Sequence, residues 1–277
     1  MQSSEHQDIP TGWTDTHDGV KFHLSAIGLS AISAFSFLFG IMIAAAGNVI
    51  ALKYFLLFAL FIALIVAFAL VSRYRRLHLS ATIRTTDRDG VPGTEIRYSG
   101  WQFTILVALM GCGTLLCATA AIETVIYQDE GFPGFAVVIG TLGIVFASFI
   151  AVVASGRVRR GGVTLTSQGI FQRGRSFETQ LDWSAIRHIT PTSSFGHPAI
   201  VVMAYIETDW NPRYTTRLWR IDRLPPLPSV VFDCRQFDVD PYVLYSYVRT
   251  YVENPELRVE LGTEAALARA RYLQPTG

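Results

Sequence analysis

The stretch IALKYFLLFALFIALIVAFALV, residues 50–71, sets the architecture of this chain. Its one charged residue is Lys53, close to its start. A helix that crosses a bilayer needs about 20 apolar residues to cover about 30 Å of hydrocarbon. This stretch meets that length, and so do the runs at 24–46, 103–126 and 134–154. Across all four runs the only acid or base besides Lys53 is Glu123, near the end of the third. The chain therefore reads as a multi-pass membrane protein, its four helices forming two hairpins.

Beyond these runs, composition divides the chain. Charged residues make up 16% of it, well under the roughly 25% of soluble domains. The deficit belongs to residues 22–154, whereas residues 157–277 read as soluble. A net charge of +1 argues against a nucleic-acid binder. Cys112 and Cys117 lie in the third run and Cys234 stands alone, so no disulfide or metal spacing exists. Ala44-Ala45-Ala46-Gly47 looks like a signal-cleavage site. The first run is too long for a signal core, however, and acidic rather than basic residues precede it.

Basic residues set orientation. Lys21, six arginines between the second and third runs (Arg73, Arg75, Arg76, Arg84, Arg88, Arg97) and Arg157, Arg159 and Arg160 lie on one side. Lys53 lies on the other, with Asp129 and Glu130. The expectation is a plasma (inner) membrane protein with both termini cytoplasmic. Residues 1–21 form a polar tail. Residues 22–154 form the membrane domain, with a cytoplasmic β-hairpin insert at 72–102. Residues 157–277 form a cytoplasmic domain with C-terminal helices. Gly143, Ala147, Ala151 and Ser155 recur every four residues, as do Ala26, Ser30 and Ala34. Such seams permit close helix pairing, within the chain or in a homo-oligomer.

The insert alternates Leu77, Leu79, Ala81 and Ile83 with polar residues, a strand period, then turns at Asp87-Arg88-Asp89-Gly90 and returns through Thr94, Ile96 and Tyr98. So short a hairpin does not fold alone and must pack on the C-terminal part or the membrane surface. In the C-terminal part strands are expected at 163–166, 170–173, 177–181, 199–207, 213–221 and 230–233. The apolar pattern of Ile186 and Ile189 runs up to Pro191. Asp240-Pro241 caps a helix with Leu244, Tyr247, Val248 and Tyr251 on one face. Asn254-Pro255 ends it and starts another helix, which closes at Gly262, and Thr263 begins a last helix.

The stretch VTLTSQGI (163–170), followed by LDWSAI (181–186), resembles the start of bacterial PH-like domains. The segments DPYVLY (240–245) and NPELRVELG (254–262) look like the C-terminal part of uncharacterised actinobacterial membrane proteins. The resemblance implies an α+β domain of short antiparallel strands closed by a C-terminal helix, acting as a binding module. The basic pattern by which eukaryotic relatives grip phosphoinositide heads is not clearly matched. Arg173 and Arg175 are the nearest candidates, so no lipid-head specificity follows.

Candidate binding residues for lipid or a protein partner are Arg73, Arg75, Arg76, Arg157, Arg159, Arg160, Arg213, Arg217 and Arg220. The last three, with Arg223, alternate with Trp210, Tyr214 and Trp219. For each group a plain topology signal or a solvated strand face is the blander reading. Glu123 is the candidate intramembrane polar residue. It reads either as an interfacial carboxylate or as an ion or proton site lacking a second charge. His188, His197, Asp182 and Asp233 match no catalytic or metal pattern. No cofactor is expected, and no enzyme. The expected function is a non-enzymatic scaffold or regulator whose partners are the bilayer and a cytoplasmic or membrane protein. The alternative is a small transporter or transporter subunit.

Overall fold

The computed structural model describes Trp13 and residues 19–74, 79–88, 90–126, 133–194 and 196–273; Arg75, Arg76, Leu77, Asp89, Asp129 and Glu130 lie outside them. The chain forms two compact units, divided at Tyr74/Arg75, Ser99/Gly100 and Arg159/Arg160.

The first unit holds α1 (Gly19–Ala45), α2 (Val49–Tyr74), α4 (Gly100–Ile126) and α5 (Pro133–Ala154), each long and apolar enough to cross a membrane. Their outward side chains are apolar too. Leu24, Phe35, Val137 and Ile144 are 65–71% exposed in the chain itself, a surface that water disfavours and lipid accepts. The turn after α1 is built by Gly47, at φ +101°, and by Asn48, whose Oδ1 accepts the N–H of Ala51 at 3.1 Å. These supply a helix stop and an N-cap. α1 packs on α2, α2 on α4, and α4 on α5.

Small residues let the backbones approach. A Cβ on Gly40 would lie 2.6 Å from the Cβ of Phe55, and one on Gly113 3.0 Å from the Phe146 ring. Gly143, one of the seam residues, faces Cys117. Ser33 Oγ donates to the Ala59 carbonyl at 2.8 Å, which satisfies a hydroxyl in an apolar setting.

The second unit is built from both ends of the sequence. A six-stranded antiparallel sheet runs β1-β2-β3-β4-β5-β8 and a three-stranded one β6-β7-β9. β1 (Ile83–Arg88) and β2 (Val91–Arg97) come from the insert. β3 (Gly162–Thr166), β4 (Gly169–Arg173), β5 (Phe177–Asp182), β6 (Ile186–Ser194), β7 (His197–Ala204), β8 (Arg213–Tyr214) and β9 (Ser229–Asp233) follow α5. β2 pairs with β3, Ile96 opposite Val163 and Arg97 opposite Gly162. The insert thus completes the C-terminal sheet instead of standing apart. Ile96, Leu165, Ile170, Leu181, Ile200, Val202 and Phe232 share one core with Leu244, Tyr247, Val248 and Tyr251 of α6 (Pro241–Glu253). Trp13 joins it, its Nε1 donating to the Ala199 carbonyl at 3.3 Å.

Three expectations are corrected. Leu79–Thr82 is a helical turn, α3, not a strand. The turn brings Leu79 and Ile83, four apart, into the same core, and the Thr82 hydroxyl bonds back to the Leu79 carbonyl. β6 runs on through Pro191, tolerated because β6 is an edge strand. Of 213–221 only Arg213 and Tyr214 form a strand. Beyond them Thr215 donates to Ser176 and the buried Asp222 turns in toward Arg175, so the chain leaves the ladder.

The helical predictions match closely. Asp240 Oδ1 caps α6 at Tyr242 and Val243, Pro255–Glu260 is a 3-10 segment, and Thr263 caps α7 (Glu264–Tyr272). α7 packs on α3 and β1, so the C-terminal segment holds the insert from a second side.

Candidate functional site

The arginines sort by what they touch. Arg73, in the last turn of α2, lies 4.5 Å over the Phe22 ring. Arg157 and Arg159 are exposed in the turn after α5, and Arg159 folds back over Gly156. Arg160 Nε donates to the Tyr98 carbonyl at 2.5 Å, next to the Tyr98 N–H bond to Gly161. Burial lowers the Arg160 guanidinium from its ordinary value, Arg97 adds to this and Asp238 opposes it. Arg160 is thus spent on holding the sheet edge where the chain leaves for α4 and returns from α5.

Arg213 is shared with Arg173 around Glu178: its Nη2 lies 2.6 Å from Glu178 Oε2, and Arg173 bonds Oε1. Arg220 lies 4.6 Å from the Tyr214 ring. Arg217 is exposed and makes no ion pair among the described residues. Arg213, Arg217 and Arg220 therefore share one segment, 205–228, that links β7 to β9.

Apart from the two residues of β8 it has no helix or strand, and connections this long with so little secondary structure are uncommon and need anchoring or a function. This one is anchored. Trp210 Nε1 donates to Thr179 Oγ1 at 2.7 Å. Asp222 Oδ2 accepts the Arg175 N–H at 2.5 Å, and the Ser176 hydroxyl accepts the Asp222 N–H at 3.2 Å. Arg175 and Asp222 are both buried. Burial pushes the Asp222 carboxyl above its ordinary range, against the downward pull of Arg175. No sequence signal marks this pair, since Asp222 lies 47 residues from Arg175 and neither sits in a motif.

In the helical unit, Glu123 on α4 has both carboxylate oxygens engaged from α2, one by Lys53 Nζ and the other by the Tyr54 hydroxyl. This corrects the expectation that no second intramembrane charge could partner it. Lys53 stands in the first turns of α2 and Glu123 in the last turn of α4, so antiparallel packing brings them together.

Between the sheets, Gln172 Nε2 bonds Tyr98 Oη at 3.0 Å and the Val231 carbonyl at 2.6 Å, while its Oε1 is buried without a partner. Burial raises the Tyr98 hydroxyl far above its ordinary value, so it stays protonated and serves as a structural acceptor for Gln172 rather than as a base. No cluster of three or more His, Cys, Asp or Glu able to hold a metal occurs among the described residues. Comparisons with family models, with curated proteins and with solved structures gave no match to this chain.

Proposed function

We propose that this chain is a multi-pass plasma (inner) membrane protein, both termini cytoplasmic, that carries a PH-like binding module on two transmembrane hairpins, α1–α2 and α4–α5. It is a non-enzymatic scaffold or regulator, and its module engages a protein partner or the anionic lipid surface. The carrying observation is the pairing of β2 with β3 across the α4–α5 insertion. Segments before, between and after helix pairs that belong to one folded unit must share one side of any membrane those helices cross. Trp13, the insert and the C-terminal part belong to one such unit. The positive charge of their flanks assigns that side to the cytoplasm.

The strand order supports the PH-like reading. β2-β3-β4-β5 form one sheet, β6-β7-β9 the other, and α6 follows. This chain departs from the plan by inserting two helices between the first two of those strands and by adding β1 and β8. Tethering gives the module a high effective concentration at the bilayer, so weak intrinsic contacts suffice.

The test is cysteine accessibility from each side of the membrane, joined to in-cell cross-linking from the module. A C-terminus labelled from outside the cell, or a module that captures neither protein nor lipid, sinks the proposal. Lys53, Tyr54 and Glu123 favour a second reading, a transporter subunit. On that reading Glu123→Gln abolishes a flux that module deletion spares.

A further inference from the structure

The register of the six-stranded sheet fixes which residues share each of its ends. Arg97 stands opposite Gly162, Gly162 opposite Arg173, Arg173 opposite Glu178, and Glu178 opposite Arg213. This row is the sheet end at which the chain leaves for α4, whose first residue follows Ser99, and to which it returns through Arg160 and Gly161. β8 runs antiparallel to β5, with Arg213 opposite Glu178 and then Tyr214 opposite Phe177. The chain after Tyr214 is therefore heading out past that same end, into the turn Arg217-Leu218-Trp219-Arg220. Leu218 is 71% exposed, Arg217 and Arg220 are exposed, and neither arginine has an ion pair among the described residues. The carboxylates close by are already committed, Glu178 to Arg173 and Arg213, and Asp222 to Arg175.

We infer that the turn Arg217–Arg220 is a bilayer contact: its arginines pair with the anionic headgroups of the membrane that α4 and α5 enter, and Leu218 sits at the headgroup–acyl boundary. The inference rests on the proposal that these helices span a membrane. Three observations choose a bilayer over a protein. The turn leaves the sheet at the end from which the apolar helices depart. An apolar tip flanked by guanidinium groups suits the interface, where apolar burial and attraction to anionic lipid act together. The turn is also held in place by the buried Arg175–Asp222 pair and the Trp210–Thr179 bond, so little ordering entropy opposes contact.

Ile206 supplies an internal control. It is 79% exposed, but Tyr205 bonds the Ala185 carbonyl, which places Ile206 beyond the opposite end of β5, about 17 Å away along the strand.

The experiment uses the full chain in nanodiscs of phosphatidylcholine alone or with phosphatidylglycerol. Leu218→Cys and Ile206→Cys are labelled with a water-soluble maleimide at low and high salt. The native cysteines are buried and contribute little background. The expected result is labelling of Leu218→Cys slowed in anionic discs by about fivefold per engaged arginine. High salt relieves the protection, Arg217→Gln with Arg220→Gln removes it, and Ile206→Cys is unaffected. Equal rates in the two lipids, or protection that survives both arginine substitutions, overturns the inference. Those results leave the scaffold reading standing, because accessibility from the two sides of the membrane decides that reading separately.

Discussion

The hydroxyl of Thr94 accepts the backbone N–H of Gly262 at 3.0 Å, a bond spanning 168 residues of sequence. It ties the strand that leads into α4 to the segment that leads into α7. Gly262 is at φ +84°, and a Cβ there would lie 2.6 Å from both the Gly93 nitrogen and the Pro92 Cβ. Gly90 has nearly the same φ, +81°, but open space around it. Gly90→Ala should therefore cost only the left-handed penalty, about 1–2 kcal/mol. Gly262→Ala should cost that plus the displacement of β2, and so lower the melting temperature of the detergent-solubilised chain further. Equal falls for the two variants would mean that the contact with β2 carries no strain.

The same clamp has an acid limit. Glu260 accepts from Tyr251 Oη at 2.8 Å and from Arg269 Nη2 at 3.1 Å. The Arg269 hydrogen bond, aided by Tyr251 and opposed by burial, holds the carboxyl below its ordinary value. A folded pKa below the unfolded one stabilises the native state above the unfolded pKa, about 4.3, and that stability is lost as pH falls through the folded value. Amide exchange of α7 should rise as pH drops below about 4.3, once intrinsic rates are corrected. In Glu260→Gln it should be faster at neutral pH and show no such step. A step of unchanged size in that variant would assign it to other carboxylates.

The parts that were legible in the sequence are those governed by one-dimensional rules. Bilayer thickness sets a run length, so α1, α2, α4 and α5 announce themselves. Asp240-Pro241, Thr263 and Gly262 are local caps that need no knowledge of the rest of the chain. Pairings between distant segments were not legible. β2 meets β3 only because two long helices fold out and back between them. Lys53 meets Glu123 only once α2 packs on α4. The alternation in 213–221 imitated a strand, but alternation reports a two-faced environment and cannot say whether a partner strand exists beyond Tyr214. Here Asp222, drawn in by Arg175, ended the ladder.

That buried pair should control how ordered the segment 205–228 is. Asp222→Ala removes the acceptor of the buried Arg175 N–H and a charge partner of its guanidinium, and loss of a buried hydrogen-bond partner destabilises by about 1–3 kcal/mol. The energy falls on one segment, so local opening should precede global unfolding. Trypsin should cut after Arg217, Arg220 and Arg223 about tenfold faster in Asp222→Ala, with Asp222→Asn intermediate because its amide oxygen still accepts from Arg175. Cleavage as slow as in the parent chain would show that β8 and Trp210 hold the segment without the pair.

Lys53 and Glu123 invite a double-mutant cycle, because a lone charge among apolar helices is worse than none. Lys53→Met strands a carboxylate that keeps only the Tyr54 hydroxyl, and should lower stability in detergent by about 1–3 kcal/mol. Glu123→Gln should cost less, since its amide oxygen still accepts from Tyr54 and Lys53. Lys53→Met combined with Glu123→Gln removes both charges and keeps the bulk, so it should recover part of the loss of Lys53→Met alone. Thermal unfolding of the four proteins at one detergent concentration gives the coupling directly. If the two losses simply add, the contact between α2 and α4 is held by the rest of the interface, where the Cys112 thiol donates to the Leu57 carbonyl at 3.3 Å, and the ion pair is a passenger on it.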